Sequence, residues 1–111
     1  MGSQNEIHLE TRMKQIRAGI RVNSRVPVMM EWTEDGRTHN VQGFTLDISP
    51  KGCLAVAPQG FAVGQRLKLV NLTNKNVCDA VLIWRGHEGR TGWELGLELQ
   101  EPSLDYWDVV F

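Results

Sequence analysis

Val26-Pro-Val-Met-Met-Glu-Trp32, running on into Thr33-Glu-Asp-Gly-Arg37, is where the hydrophobic period of the chain changes from helical to strand-like. Val26, Val28, Met30 and Trp32 alternate with Pro27, Met29 and Glu31, and a period of two sends the two sets to opposite faces of a strand. Glu34-Asp-Gly-Arg37 has the composition of a tight hairpin turn. Pro27 has no N–H to give to a ladder, which predicts an edge or an entry position for this strand.

Outward from that hairpin the same reading continues. A return strand is expected over residues 39–48, and further strands over 53–57, 66–70, 77–84 and 91–99. Loops fall at 58–64, 71–76 and 85–90. Six short strands joined mostly by tight turns predict an all-β, six-stranded antiparallel barrel, whose closure removes exposed sheet edges. Upstream, Ser3-x-x-Glu6 and the stripe Leu9, Met13, Ile16 and Ile20 describe a weakly helical arm over 1–16. Gly19 breaks that pattern, so residues 18–24 are expected to be an extended, mobile linker. Downstream, Ser103 is an expected N-cap, and Leu104, Trp107 and Phe111 fall at helical spacing, which predicts a short C-terminal helix over 102–111. That helix is expected to plug one end of the barrel or to dock a second protein. The barrel with its linker then occupies 17–101, the linker being residues 17–25.

Charge is unevenly spread. Between Arg12 and Met30 stand Arg12, Lys14, Arg17, Arg21 and Arg25 with no acidic residue, whereas the whole 111-residue chain has a net charge of −1. The rest of the chain is therefore clearly acidic. A basic arm on an acidic body favours a small anion over long nucleic acid, which would call for many phosphate contacts. No apolar run is long enough to cross a bilayer, and the N-terminal residues lack the apolar core of a signal peptide, so a cytoplasmic setting is expected. Cys53 and Cys78 lie in apolar, strand-like surroundings and are expected to be free thiols.

Two motifs carry the chemistry. Arg21-Val-Asn-Ser-Arg25 offers two guanidiniums, and Asp47-Ile-Ser49-Pro-Lys-Gly52 offers a carboxylate, a hydroxyl and a glycine turn. Guanine presents O6 and N7 as adjacent acceptors, a geometry that matches the planar fork of arginine and suits lysine poorly. An ionised Asp47 accepts only, and so suits the N1–H and 2-amino protons of guanine, a donor pair that adenine lacks. Ser49 has a hydroxyl to donate to the ligand, and Gly52 is expected to supply a positive φ or a close backbone approach. The pair of motifs describes a site for a small guanine nucleotide.

Both motifs, in this order, resemble the PilZ domain, which has an Arg-x-x-x-Arg linker before its first strand and Asp/Asn-x-Ser-x-x-Gly at the end of its second. Val81-Leu-Ile-Trp84 and Trp93-Glu-Leu-Gly-Leu-Glu-Leu99 are similar to the closing strands of that family. The resemblance spans about residues 17–99. It implies a six-stranded barrel that senses cyclic di-GMP, a bacterial second messenger, with Arg21, Arg25, Asp47, Ser49 and Gly52 as ligand-binding residues. Three further positions flank that site. Arg17 makes a second, overlapping Arg-x-x-x-Arg with Arg21. Ile20 stands where some members carry an arginine able to stack on a second nucleotide, which leans towards one ligand per chain. Trp84 is expected in the barrel core, with the pocket wall as the alternative. Beyond the resemblance, the arginine linker is expected to be mobile without nucleotide and to fold over it against the Asp47–Gly52 turn, repositioning the N-terminal segment for a downstream protein partner.

An enzyme is the least supported class. His8, His39 and His87 form no metal-ligand spacing with either cysteine, and no nucleophile elbow or P-loop occurs. No metal or cofactor is expected beyond the nucleotide ligand. A barrel for single-stranded nucleic acid would need an aromatic platform and broad positive charge. The stronger rival is an interaction module that docks a protein through its C-terminal aromatic residues and makes no use of the nucleotide.

Overall fold

The computed structural model describes residues 21–111. The expected N-terminal arm, Arg17 and Ile20 lie outside the described residues. Seven strands follow in chain order: β1 Val22–Asn23, β2 Pro27–Glu34, β3 Arg37–Ser49, β4 Gly52–Ala57, β5 Arg66–Asn71, β6 Val77–Gly89 and β7 Gly92–Leu99. All pairings are antiparallel. The strand order β3-β2-β5-β6-β7-β4, with β4 pairing back onto β3, closes the expected six-stranded barrel. β1 adds a two-residue rung to β3 beyond the start of β2.

The alternation that predicts these strands is the alternation of burial. Val28, Met30, Leu67, Leu69, Leu95, Leu97 and Leu99 point into the core, joined by Ile48, Ala55, Ala80 and Leu82. The first hairpin closes with Glu34 opposite Arg37, leaving Asp35 and Gly36 with φ of 52° and 75°. Two positive φ values define the turn that matches the right-handed twist of the strands. Pro27 is the first residue of an interior strand, the entry position foreseen for it.

Two features differ from the sequence reading. β6 runs on to Gly89, through the expected loop, because irregularities after Leu82 and Arg85 absorb extra residues without ending the pairing with β7. The C-terminal segment forms turns, with no helix. Asp105 N–H bonds the Ser103 hydroxyl at 3.0 Å, Asp108 N–H bonds the Asp105 carbonyl at 3.1 Å, and Asp108 takes a φ of 57° that ends the turn. The reason is competition for acceptors. In a helix the Tyr106 carbonyl would receive the amide of residue 110. Here it receives the side-chain amides of Asn71, Asn74 and Asn76 at 3.1, 3.3 and 3.2 Å.

The segment nonetheless plugs the barrel as foreseen. Tyr106 and Trp107 are buried, their rings edge to face at 4.8 Å. Trp107 is only 3% exposed, so it belongs to the plug and is removed from any docking surface. The Tyr106 hydroxyl donates to the Leu69 carbonyl within the barrel. Tyr106→Phe takes a hydrogen bond from that buried carbonyl, and is expected to destabilise the chain by about 1–2 kcal/mol. A thermal melt followed by circular dichroism should show a fall of roughly 5–10 °C; an unchanged midpoint would mean that the hydroxyl bond contributes nothing net.

Candidate functional site

The site is built where β1 meets the end of β3. Val22 faces Ile48 and Asn23 faces Asp47, a register that brings Arg21 opposite Ser49. Residues directly across an antiparallel pair share a face, so Arg21, Asp47 and Ser49 project to one side. The Arg21 guanidinium lies 3.8 Å from a carboxylate oxygen of Asp47. The arginine is 71% exposed and the aspartate 16%, so the pair sits at the mouth with its anion recessed.

Thr45 anchors the linker to this strand, and nothing in the motifs pointed to it. Its fully buried hydroxyl accepts the Val26 amide at 2.8 Å and donates to the Ser24 carbonyl. The Ser24 amide reaches the Leu46 carbonyl at 3.3 Å, and the Thr45 amide reaches the Val26 carbonyl at 2.9 Å. Between Thr45 and Asp47 the β3–β4 register slips, and the additional residue, Leu46, is partly exposed. Such a slip re-aims the residues that follow it, which here are Asp47 and Ser49.

Arg21, Asp47, Ser49, Gly52, Trp84 and Glu98 are among the residues lining a cleft of about 420 Å³. That volume falls in the range of small-molecule sites. Ser49 is buried, and its hydroxyl accepts the Lys51 amide at 3.2 Å. Lys51 is half-buried and lines the cleft. Burial pushes the Cys53 thiol far above its usual range, with the charge of Asp47 adding to the effect, and the thiol is neutral. Among the described residues no group of three or more His, Cys, Asp or Glu gathers in a metal-binding arrangement.

Three residues stand differently from expectation. Arg25 is outside the cleft, its guanidinium 3.9 Å from the centroid of the Phe44 ring in a cation–π contact. Gly52 has no positive φ; a Cβ there would lie 1.9 Å from the Leu97 carbonyl oxygen, so glycine lets β4 approach β7. Trp84 is not in the core. The slip between Leu82 and Trp84 turns Ile83 and Trp84 outward together, and Trp84 is 48% exposed on the cleft wall. Its indole lies over Gly86, where a Cβ would come within 2.5 Å of the ring, and its Cβ lies close to Gly96. The Leu95-Gly96 pair makes room for the tryptophan, a signal visible in the sequence only once the pairing is known.

A closed antiparallel barrel with a cleft at its edge and one linker arginine, Arg21, at the mouth of that cleft has the build of a small binding domain. The chain belongs to the PilZ domain family, whose model matches residues 12–109. PilZ is a binding family, not a catalytic one, and is generally linked to cyclic di-GMP. Comparisons with curated proteins and with solved structures find no match.

Proposed function

We propose that this chain is a bacterial cyclic di-GMP receptor domain that binds the dinucleotide in the cleft between the arginine linker and the Asp47–Gly52 turn. The observation that supports this reading most is the convergence of Arg21, Asp47, Ser49 and Gly52, drawn from two separate motifs, on one 420 Å³ cleft. Arg21 contributes the guanidinium fork to a phosphate or to the O6/N7 edge of guanine. Asp47 accepts guanine N1–H and the 2-amino group. Arg25 leaves Phe44 to complete the grip from the other end of the linker. No residue takes a catalytic role, and the setting is cytoplasmic.

The signal is ordering of the linker. β1 is held by a two-residue pairing, and a ligand bridging Arg21 and Arg25 to β3 adds contacts that the short rung lacks. A downstream protein then reads the ordered arm. Hydrogen exchange should show residues 21–25 gaining protection on nucleotide addition; equal protection in both states would refute the latch.

Isothermal titration with cyclic di-GMP beside cyclic di-AMP tests the binding itself. Heat from the guanine ligand alone supports the reading, and no heat from a folded chain rejects it. Trp84 offers its exposed face to a base, and stacking on an aromatic ring contributes about 1–3 kcal/mol. Trp84→Ala is therefore expected to weaken binding about tenfold or more in the same titration, with little change in thermal midpoint because the ring is half-exposed. Unchanged affinity would remove Trp84 from the site.

The docking reading retains one observation in its favour: Leu104 is exposed and Val110 is 97% exposed on the C-terminal segment. It requires that a Leu104→Ser, Val110→Ser double variant lose the cellular phenotype while Arg21→Ala keeps it.

A further inference from the structure

The turn that carries the nucleotide motif is held from behind by the end of the chain. The carbonyls of Ser49, Pro50 and Lys51 are all taken: Trp107 Nε1–H donates to Ser49 at 2.9 Å, Ser103 N–H to Pro50 at 3.1 Å and Leu99 N–H to Lys51 at 2.7 Å. Neither Leu99, Ser103 nor Trp107 lines the cleft. The bonds therefore draw three carbonyl oxygens, the negative ends of their peptide dipoles, toward donors outside the site. A phosphate-bearing ligand benefits, because those oxygens would otherwise be free to repel it.

Trp107 is suited to hold this arrangement. Its indole is buried against Tyr106, whose carbonyl is gripped by the side chains of Asn71 at the end of β5 and of Asn74 and Asn76 in the β5–β6 connection. A donor fixed on one side by that network and on the other by the Ser49 carbonyl leaves the turn little freedom. We infer that Trp107 is a positioning residue for the nucleotide site, acting through the backbone of Ser49. The inference rests on the nucleotide-binding reading above and adds a residue outside both motifs, more than fifty positions along the chain from Ser49.

The full chain and Trp107→Phe, which keeps an aromatic ring and removes the N–H, are titrated with cyclic di-GMP after both are shown to melt cooperatively. The variant is expected to bind about five- to tenfold more weakly. In the unaltered chain the Trp107 indole N–H resonance should shift as nucleotide is added, with the midpoint found by calorimetry, although the indole lies outside the cleft. A purely structural tryptophan would not report the ligand, and this measurement needs no variant, so it decides the matter even where Trp107→Phe fails to fold. Wild-type affinity in the variant, or an indole resonance unmoved at saturation, overturns the inference while leaving nucleotide binding intact. Absence of binding by the unaltered chain overturns the nucleotide reading and this inference with it.

Discussion

Replacing Arg21 by alanine should weaken cyclic di-GMP binding by about a hundredfold while moving the thermal midpoint by no more than a degree or two. The two halves of that expectation have different physical origins. For stability, Arg21 is 71% exposed and its pairing with Asp47 is long at 3.8 Å, and exposed pairs of this kind contribute close to nothing. For binding, each hydrogen bond to a charged group is worth about 1.5–3 kcal/mol, and a guanidinium fork on phosphate or guanine makes two. About 2.7 kcal/mol corresponds to the hundredfold loss. Arg21→Lys restores only part of it, because an ammonium cannot span two adjacent acceptors in one plane. Isothermal titration of the three proteins measures the series directly. Equal affinities would show that the linker arginine is a solvated surface charge.

The largest effect on stability is expected from Gly52→Ala. The added methyl would lie 1.9 Å from the Leu97 oxygen, 2.9 Å from its carbonyl carbon and 3.1 Å from the Glu98 Cα, all of them backbone atoms of β7. No side-chain rotamer can relieve such a clash, so β4 and β7 must separate at the rung where Gly52 faces Glu98. Overpacking of this kind costs about 3 kcal/mol or more. In a domain of this size the melting temperature should fall by roughly 10 °C or beyond. Gly36→Ala provides the contrast. Its methyl meets nothing within 4 Å and the cost is confined to a φ of 75°. Circular dichroism melts should therefore rank Gly52→Ala far below Gly36→Ala, and the reverse order would refute the packing argument. Loss of nucleotide binding in Gly52→Ala would then report a disturbed strand pair, even though Gly52 belongs to the binding motif.

Much of the barrel was legible because each strand buries one face. Arg66 to Val70 and Gly92 to Leu99 alternate in sequence as they alternate in burial, and Asp35-Gly36 closes the hairpin that its composition demanded. The slips were not legible. Nothing local marks Leu46 or Ile83 as the extra residue, because a slip is a property of two paired strands. For that reason Trp84 reads as core in sequence and stands on the cleft wall in the fold. The C-terminal helix failed for a related reason: its spacing was helical, but asparagines some thirty residues upstream claimed the carbonyl that the helix needed.

The sequence by itself determined the six strands of the barrel, the hairpin and the two motifs, since period, turn chemistry and side-chain type are local and survive in one dimension; the short β1 was not among them. Tertiary structure alone decided that Arg21 reaches Asp47 while Arg25 rests on Phe44, that Gly52 serves β7, and that Trp84, Glu98 and the C-terminal plug surround the turn. Barrel closure brings Gly52 of β4 and Glu98 of β7 together across more than forty residues of chain, and only that closure creates the cleft.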